Sequence, residues 1–298
     1  MLLSRLARSY VTPPLPVPLM SLSLQSKRKL RDGNEIPVLG FGTYELLGDD
    51  AYQAVTWALE AGYRHIDSAE WYENERECGK AIRDFCTKTG TPRSDIFYTT
   101  KLKNNAGRAA TTQSIKRSLD ACGLEYIDLY LIHGPWRGPK ARHEAWDAIV
   151  DAQRTGILKS IGISTFGIRH MNELLDDTTP VPAVHQIDLH PFMTRSKIVE
   201  YCEQRDIALE AWGSIVRGLR MTHPSIVHLA GKYGKSAAHI LLRWSLQKGF
   251  IPLVKSASHA RIVANTEIFD FELTPEEIQH LDGLDEYLVT DWDPTNCP

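Results

Sequence analysis

The chain has 298 residues, with 34 Lys and Arg against 37 Asp and Glu, so its formal net charge is −3. A hydrophobic fraction of 43% and a charged fraction of 24% are typical of globular proteins and exclude disordered, collagen-like and coiled-coil classes. No apolar run approaches the ~18 residues that cross a membrane. The five cysteines are scattered and form no CxxC pair, which argues against a disulfide framework and a structural zinc site. We therefore expect a soluble protein of a reducing compartment.

The amino-terminal segment differs in composition from the rest. Residues 1–31 contain six basic and no acidic residues, so the remaining chain is acidic, which argues against a nucleic-acid-binding protein. The start, MLLSRLARSY, is similar in composition to mitochondrial presequences, but VTPPLPVPL, with four prolines, favours extended chain. We predict that residues 1–24 form a disordered or targeting tail outside the fold. The expected location is the cytoplasm, or the mitochondrion if residues 1–12 act as a presequence.

From Lys29 onward, short apolar runs alternate with helical patterns. The first signal is a β-hairpin, in which Asp32-Gly33-Asn34 forms a tight turn between Lys29–Arg31 and Glu35–Ile36. Eight strands are then predicted, at Val38–Phe41, Arg64–Asp67, Phe97–Thr100, Ile127–His133, Ser160–Ser164, Val184–Ile187, Ala208–Trp212 and Ile251–Val254. Between these strands apolar residues recur at spacings of three and four, which predicts helices. Helix ends are expected at Gly62, Gly123 and Gly156.

The spacing of the strands predicts the fold. Strands begin every 25–40 residues or so, the length of one strand–helix unit. Eight such units predict one domain over residues 25–298, a (β/α)8 TIM barrel with a short N-terminal β-hairpin. The alternative is a doubly wound sheet, whose first strand is usually followed by Gly-x-Gly-x-x-Gly. Here Gly40-Phe41-Gly42-Thr43-Tyr44-Glu45 lacks the third glycine, which favours the barrel.

Polar residues follow three neighbouring strands at their C-terminal ends, where (β/α)8 barrels carry their catalytic residues. Asp67 ends the second strand and Tyr72 follows it, Lys101 follows the third strand, and His133 ends the fourth. A lysine after an apolar strand needs a carboxylate to stay charged, and Asp67 supplies one. The ammonium is then expected to lower the pKa of Tyr72 below ~10, which makes the phenol a stronger proton donor. His133 is expected to hydrogen-bond the oxygen that Tyr72 protonates.

Each of these residues alone has an ordinary structural explanation, but all four at adjacent strand ends predict a catalytic site. The histidines form neither His-x-His nor His-Glu-x-x-His, so no metal site is predicted.

Five motifs in order carry a resemblance to a known family. They are Gly40-Phe41-Gly42-Thr43, Asp67-x4-Tyr72, Leu131-Ile132-His133-Gly134-Pro135, Ile161-Gly162-Ile163-Ser164 and Lys255-Ser256. Together they resemble the aldo-keto reductases, from about Lys29 to Pro294. The resemblance implies an oxidoreductase that reduces aldehydes or ketones to alcohols by hydride transfer from NADPH, without a metal. It also implies that Tyr72 is the general acid, assisted by Lys101, Asp67 and His133.

The resemblance further implies an NADPH site. The residues expected to bind the cofactor are Gly42, Thr43, Asp67, Ser164, Thr165, Gln186, Trp212, Ser214, Lys255, Ser256, Arg261 and Asn265. Those from Ser164 to Trp212 match positions at the nicotinamide, and Ser214 begins a loop that crosses the pyrophosphate. Lys255 and Arg261 match positions around the 2′-phosphate, whose double charge suits Lys and Arg and favours NADPH over NADH.

Three positions depart from the family pattern. Thr165 and His185 each stand where the family has Asn, and Ala264 stands where Glu commonly contacts adenine. Thr165 lacks the amide that holds the carboxamide, although its hydroxyl still offers a donor and an acceptor. These departures are expected to affect the affinity for the cofactor and not the four catalytic residues.

The expected substrate site is apolar. Tyr44, Trp71, His133 and Trp136 are predicted to line it and to favour hydrophobic carbonyl compounds. We expect a small-molecule carbonyl substrate, no nucleic acid, no membrane and a monomer. The alternative function is an NADP(H)-binding sensor or channel-accessory subunit with little turnover, since such subunits keep the same four residues. The short chain, without an added interaction domain, favours the enzyme.

Overall fold

The structure, a computed structural model, describes residues 22–175 and 179–298. It confirms the predicted hairpin, since β1 (Lys27–Lys29) and β2 (Glu35–Pro37) pair antiparallel. Leu30 and Ile36 of the hairpin pack in one cluster with Phe97 and Leu129, which closes the N-terminal end of the barrel. The tail predicted over residues 1–24 lies mostly outside the described residues; within its last three residues, Leu24 packs against the core.

In the described chain, eight parallel strands follow the hairpin and close into a barrel, as predicted. They are β3 (Gly40–Gly42), β4 (His65–Asp67), β5 (Phe97–Leu102), β6 (Ile127–Ile132), β7 (Leu158–Ser164), β8 (Val184–Asp188), β9 (Ala208–Trp212) and β10 (Ile251–Val254). Each strand pairs with the next along the chain, and β10 pairs with β3 to close the ring. Every predicted strand end lies within two residues of the observed one.

Helices cover the outer face of the barrel. They are α1 (Gly48–Glu60), α2 (Glu75–Thr89), α3 (Arg108–Cys122), α4 (Gly138–Arg154), α5 (Ile168–Leu174), α6 (Ser196–Glu203), α7 (Pro224–Tyr233), α8 (Ala237–Gln247), α9 (His259–Ala264) and α10 (Pro275–Asp282). Gly123 ends α3 as predicted: its φ is 62°, a left-handed conformation that favours glycine, and its amide donates to the carbonyl of Leu119. Among the described helices, none is both long and apolar enough to cross a bilayer.

The strand register determines where the site forms. In β6, Leu129 and Leu131 belong to the cluster inside the barrel, whereas Tyr130 packs outward with the helices, because side chains alternate along a strand. Asp67 pairs with Thr99 of β5, and Lys101 pairs with Leu131 of β6. The C-terminal ends of β4, β5 and β6 therefore lie side by side at the barrel mouth.

Candidate active site

The four residues predicted at the strand ends, hereafter the tetrad (Asp67, Tyr72, Lys101 and His133), lie together. Nζ of Lys101 is 2.7 Å from Oδ1 of Asp67 and 2.7 Å from the carbonyl oxygen of Ser68. The same Nζ is 3.4 Å from the phenolic oxygen of Tyr72, which a single helical turn after β4 carries. The ring centroids of Tyr72 and His133 are 5.7 Å apart. A buried ammonium is thus held by a carboxylate and presented to a phenol.

The electrostatics of this group differ from the expectation at Tyr72. Burial lowers the pKa of the Lys101 ammonium, but the Asp67 carboxylate and the Tyr72 phenol offset this, so its pKa is raised above its usual value. Burial raises the pKa of Tyr72 to about 12, although Lys101 acts in the opposite direction. The prediction that Lys101 brings the pKa of Tyr72 below its usual value is therefore wrong.

The reason lies in the contacts of the phenol. The Tyr72 ring is half-buried and packs against Tyr44 at 5.1 Å and against His133, so its loss of hydration outweighs the single ammonium. The phenol consequently keeps its proton at neutral pH, which is the state that a general acid needs.

The His133 imidazole is neutral. Burial, and to a smaller extent the charge on Lys101, holds its pKa well below its usual value. Its Nδ1 has no hydrogen-bond partner within residues 22–175 and 179–298. The main-chain carbonyl oxygen of His133 accepts a hydrogen bond from Oγ1 of Thr165 at 3.1 Å, which fixes the backbone at the end of β6. A neutral imidazole at this point can form a hydrogen bond with a ligand oxygen.

Aromatic rings form the rim of the site. Trp71 is 53% exposed, and the Trp136 ring lies 6.3 Å from it and 6.4 Å from His133. Gly134 makes room for this arrangement, because a Cβ there would lie 2.0 Å from the Trp136 ring. With Tyr44 beside Tyr72, the residues predicted to line the pocket are brought together.

Trp292 is a rim residue that the sequence analysis missed. Its ring lies 5.1 Å from Trp136 and 6.2 Å from His133. The preceding residues are anchored to the barrel, since Oγ1 of Thr290 donates to Asp188 at 3.1 Å. The local sequence around Trp292 has no helical or strand period, so only an aromatic residue in an irregular segment could have indicated it.

Five of the residues expected to bind the cofactor lie on or directly after β3, β7 and β8. They are Gly42 and Thr43, together with Ser164, Thr165 and Gln186, which were expected at the nicotinamide. Gly42 pairs with Asp67 in the barrel register, and the Thr43 hydroxyl donates to the Asp67 carbonyl at 2.9 Å. Nε2 of Gln186 donates to Oδ2 of Asp67 at 2.8 Å. Because the Thr165 hydroxyl donates to His133, its oxygen retains only acceptor capacity for a ligand.

The other residues expected to bind the cofactor lie at or after the ends of β9 and β10. They are Ser214, Lys255, Ser256 and Arg261, expected at the phosphates, Trp212, expected at the nicotinamide, and Asn265. Oγ of Ser214 donates to the carbonyl of Leu253 at 2.8 Å, which ties the loop after β9 to β10. Nε of Arg261 donates to Oγ of Ser256 at 3.2 Å. Lys255 directly precedes Ser256 in the sequence. A lysine, an arginine and a hydroxyl form a donor set that suits a doubly charged phosphate.

The loop after β9 is also tied to the rim, which the sequence did not indicate. Arg217 lies 3.1 Å from Glu45 and 3.1 Å from Asp291 in two ion pairs, and Nζ of Lys255 is 3.9 Å from Glu45. These charges link the loops after β3, β9 and β10 with the C-terminal segment.

Two of the residues that depart from the family pattern, His185 and Ala264, form hydrogen bonds within the fold. Nε2 of His185 accepts from the amide of Phe166 at 3.1 Å, and its Nδ1 is 3.4 Å from Sγ of Cys202. The His185 side chain therefore holds the loop after β7 and does not join the tetrad. The carbonyl of Ala264 is hydrogen-bonded to His239 at 2.8 Å. In the described part of the chain, no group of three His, Cys, Asp or Glu side chains is arranged to hold a metal ion.

Curated relatives match the chain over nearly their full lengths. An uncharacterized oxidoreductase of Schizosaccharomyces pombe is 43% identical over 91% of this chain and 98% of its own length. The uncharacterized oxidoreductase YtbE of Bacillus subtilis is 38% identical, over 93% of this chain and 99% of its own.

Solved structures agree with this. An aldo/keto reductase from Brucella melitensis has a TM-score of 0.83 and 39% identity, and covers 87% of this chain and 99% of its own. A Bombyx mori aldo-keto reductase in complex with NADP has a TM-score of 0.85 and 33% identity over 92% of this chain and 97% of its own, and its NADP agrees with the expected cofactor. The profile of the Aldo/keto reductase family matches residues 38–286, and the chain therefore belongs to that family.

Proposed function

We propose that this protein reduces aldehydes and ketones to alcohols by hydride transfer from NADPH, with Tyr72 as general acid. The observation that carries the proposal is the 3.4 Å contact between Nζ of Lys101 and the phenolic oxygen of Tyr72, with Asp67 behind the ammonium. A protonated phenol beside a fixed cation is equipped to give its proton to an oxygen that gains negative charge. NADPH, when bound, supplies the hydride.

The other three residues of the tetrad assist the proton transfer from Tyr72. The Lys101 ammonium stabilises the tyrosinate that remains after the transfer, and Asp67 keeps the ammonium charged and in place. The neutral His133 orients the carbonyl oxygen toward Tyr72 through a hydrogen bond. Because the Tyr72 side chain is only half-buried, it regains its proton from water.

The donor set after β10 supports NADPH over NADH. Lys255, Ser256 and Arg261 offer two cations and a hydroxyl to a 2′-phosphate, which NADH lacks. Gln186 and Ser164 would hold the carboxamide and Trp212 would stack on the nicotinamide, while Ser214 and the loop after it would cross the pyrophosphate.

The rim supports a small apolar carbonyl compound as substrate. Aromatic faces that can pack against apolar groups lie around His133, and they are those of Tyr44, Trp71, Trp136 and Trp292. We further propose that the protein acts as a monomer in the cytoplasm.

The substitution Tyr72→Phe tests the proposal. It removes the hydroxyl that donates the proton and keeps the ring, so NADPH oxidation that depends on a carbonyl substrate should fall by about 10²- to 10⁴-fold, whereas the dissociation constant for NADPH stays within about twofold. Tyr52→Phe is the matched control, because that phenol lies on α1 and bonds Asp84 at the surface. Its kcat should equal that of the wild type.

Two outcomes would contradict the proposal. If Tyr72→Phe keeps most of the turnover, Tyr72 is not the acid. If the wild type binds NADPH but oxidises none of it across a panel of aldehydes, ketones and sugars, and forms a stable tetramer in light scattering, the sensor or channel-accessory function is favoured instead.

A further inference from the structure

A carboxyl group lies inside the barrel, directly beside the tetrad. Glu210 is fully buried on β9, and its Oε2 accepts a hydrogen bond from Nε2 of Gln186 at 3.1 Å. The same nitrogen donates to Oδ2 of Asp67 at 2.8 Å. One side-chain amide therefore joins two carboxyl groups, and one of them is the ion-pair partner of Lys101.

The surroundings of Glu210 favour its neutral form. Asp67 has the Lys101 ammonium at 2.7 Å, whereas in the described chain the only basic side chain in contact with Glu210 is His65, whose Nε2 is 3.5 Å from Oε1. Burial, with a smaller effect of Lys101, lowers the pKa of His65 to about 3, so this imidazole carries no charge. The neighbouring strand β10 adds only apolar side chains. Burial first, and then the charge on Asp67, raises the pKa of Glu210 to about 8.

We propose that Glu210 is a positioning residue, which carries a proton at neutral pH and fixes Asp67 through the side-chain amide of Gln186. A fixed Asp67 holds Lys101 at 2.7 Å and thereby keeps the ammonium beside Tyr72. Loss of the Glu210 proton places a second negative charge next to Asp67 inside the barrel. This charge opposes the effect of Lys101 on the tyrosinate.

The consequence, which rests on the proposed function, is an alkaline limit to carbonyl reduction. The tyrosinate left after proton transfer is less stable once Glu210 is ionised, so kcat should fall as the pH rises through about 8. The fall should be about three- to tenfold between pH 7 and 9.5, the effect of a charge interaction worth half to one pKa unit.

The substitution Glu210→Gln separates the proton from the hydrogen bond. The new amide oxygen still accepts from Gln186, but the group no longer titrates. We therefore expect kcat near the wild-type value at pH 7 and a loss of the alkaline fall in full-length enzyme assayed with NADPH and an aromatic aldehyde. Glu203→Gln is the matched control, since that carboxyl is exposed on α6, outside the barrel. Its pH profile should follow the wild type.

A second readout needs no turnover. Because the Glu210 pKa is higher in the folded than in the unfolded chain, the folded state binds more protons between about pH 4.5 and 8, and the wild type loses stability as the pH rises through that range. Between pH 4.5 and 8, the melting temperature of the wild type should therefore fall by about 2 °C per pH unit relative to that of Glu210→Gln. Above pH 9 the difference between the two melting temperatures should be constant.

The link through Gln186 is tested by a double-mutant cycle. At pH 7, the melting temperatures of Glu210→Gln, Asp67→Asn and the double variant should depart from additivity by about 2 °C or more. Additive effects would contradict the link between Glu210 and Asp67.

The pH experiments test the other parts of the proposal. If the melting temperature of Glu210→Gln changes with pH as that of the wild type does, Glu210 does not carry a buried proton. If this pH dependence differs but the pH profile of kcat is unchanged, Glu210 does not act on the tetrad. If the wild type reduces no carbonyl compound, the proposed function fails, but the two melting experiments still decide the positioning role.

Discussion

Two ion pairs at opposite ends of the barrel show how one fold separates stability from chemistry. At the mouth, Lys101 and Asp67 are 2.7 Å apart, and their side chains are 0% and 5% exposed. At the N-terminal end, Arg93 and Asp128 are 2.6 Å apart and are 17% and 13% exposed. Both pairs are withdrawn from water, yet they differ in what else their atoms contact.

The pair at the N-terminal end also bonds backbone groups of the chain itself. Asp128 accepts a second hydrogen bond from the amide of Tyr98 at 2.9 Å, and Arg93 donates to the carbonyl of Tyr126 at 3.0 Å. At the mouth, the third neighbour of Lys101 is a phenol beside an imidazole whose Nδ1 has no partner among the described residues. The first arrangement ties backbone groups together at the N-terminal end, whereas the second presents a phenol and an imidazole at the C-terminal end of the strands, where barrels carry their active sites.

The largest effect is expected when the pair at the mouth is broken by Lys101→Met. The tyrosinate loses the ammonium beside it, so kcat should fall by about 10³-fold. The Asp67 carboxylate is left without its ion-pair partner inside the protein, which should lower the free energy of unfolding by about 3 kcal/mol. Steady-state kinetics and urea denaturation measure the two effects, and a kcat within tenfold of the wild type would refute the role given to Lys101.

A smaller effect on catalysis is expected from the substitution Arg261→Ala. Arg261 lies at the barrel mouth on α9, outside the tetrad. The 2′-phosphate loses a charge-assisted hydrogen bond at an exposed position, so KM for NADPH should rise about tenfold and kcat should stay near the wild-type value. KM for NADH should not change, because NADH has no phosphate there. Arg76→Ala, an exposed arginine of α2, is the control. An equal rise of KM for both cofactors would place the 2′-phosphate elsewhere.

The same contrast explains what the sequence could predict. Asp67, Lys101 and His133 end apolar strands, and parallel strands in register bring their C-terminal ends to one edge, so their meeting follows from the pattern alone. Glu210 lies in the strand Ala208–Trp212, where a charged residue in an otherwise apolar run is a signal of a buried polar group. Its contact with Gln186 follows from the pairing of the consecutive strands β8 and β9, whereas the contact of Gln186 with Asp67 crosses the barrel interior from β8 to β4 and has no signal in the sequence.

The pKa of Tyr72 and the position of Trp292 could not be predicted from the sequence, because both depend on tertiary packing. The direction of the pKa shift at Tyr72 is the difference between two large opposing effects, burial and the Lys101 charge, and only the packed rings of the site decide it. Trp292 reaches His133 because tertiary contacts anchor the C-terminal segment, and no local period encodes them.

Trp292→Ala should therefore alter substrate binding more than chemistry. The loss of one aromatic face should raise KM about tenfold for a bulky aromatic aldehyde and leave kcat within about threefold. A small aliphatic aldehyde, which does not reach the rim, serves as the control and should keep its KM. An equal change for both substrates would mean that Trp292 supports His133 rather than the bound substrate.

The smallest effect on catalysis is expected at the other ion pair. Arg93→Met should leave kcat within about twofold of the wild type, since the pair lies at the N-terminal end of the barrel, but should lower the free energy of unfolding at pH 7 by about 2 kcal/mol. Burial already raises the pKa of Asp128 and Arg93 opposes that shift, so the substitution raises the pKa further. A protonated Asp128 does not need the arginine, whereas an ionised one does. The deficit should therefore be full at pH 7 and should shrink as the pH falls toward 4, and a deficit independent of pH would show that Arg93 acts through its backbone hydrogen bonds and not through Asp128.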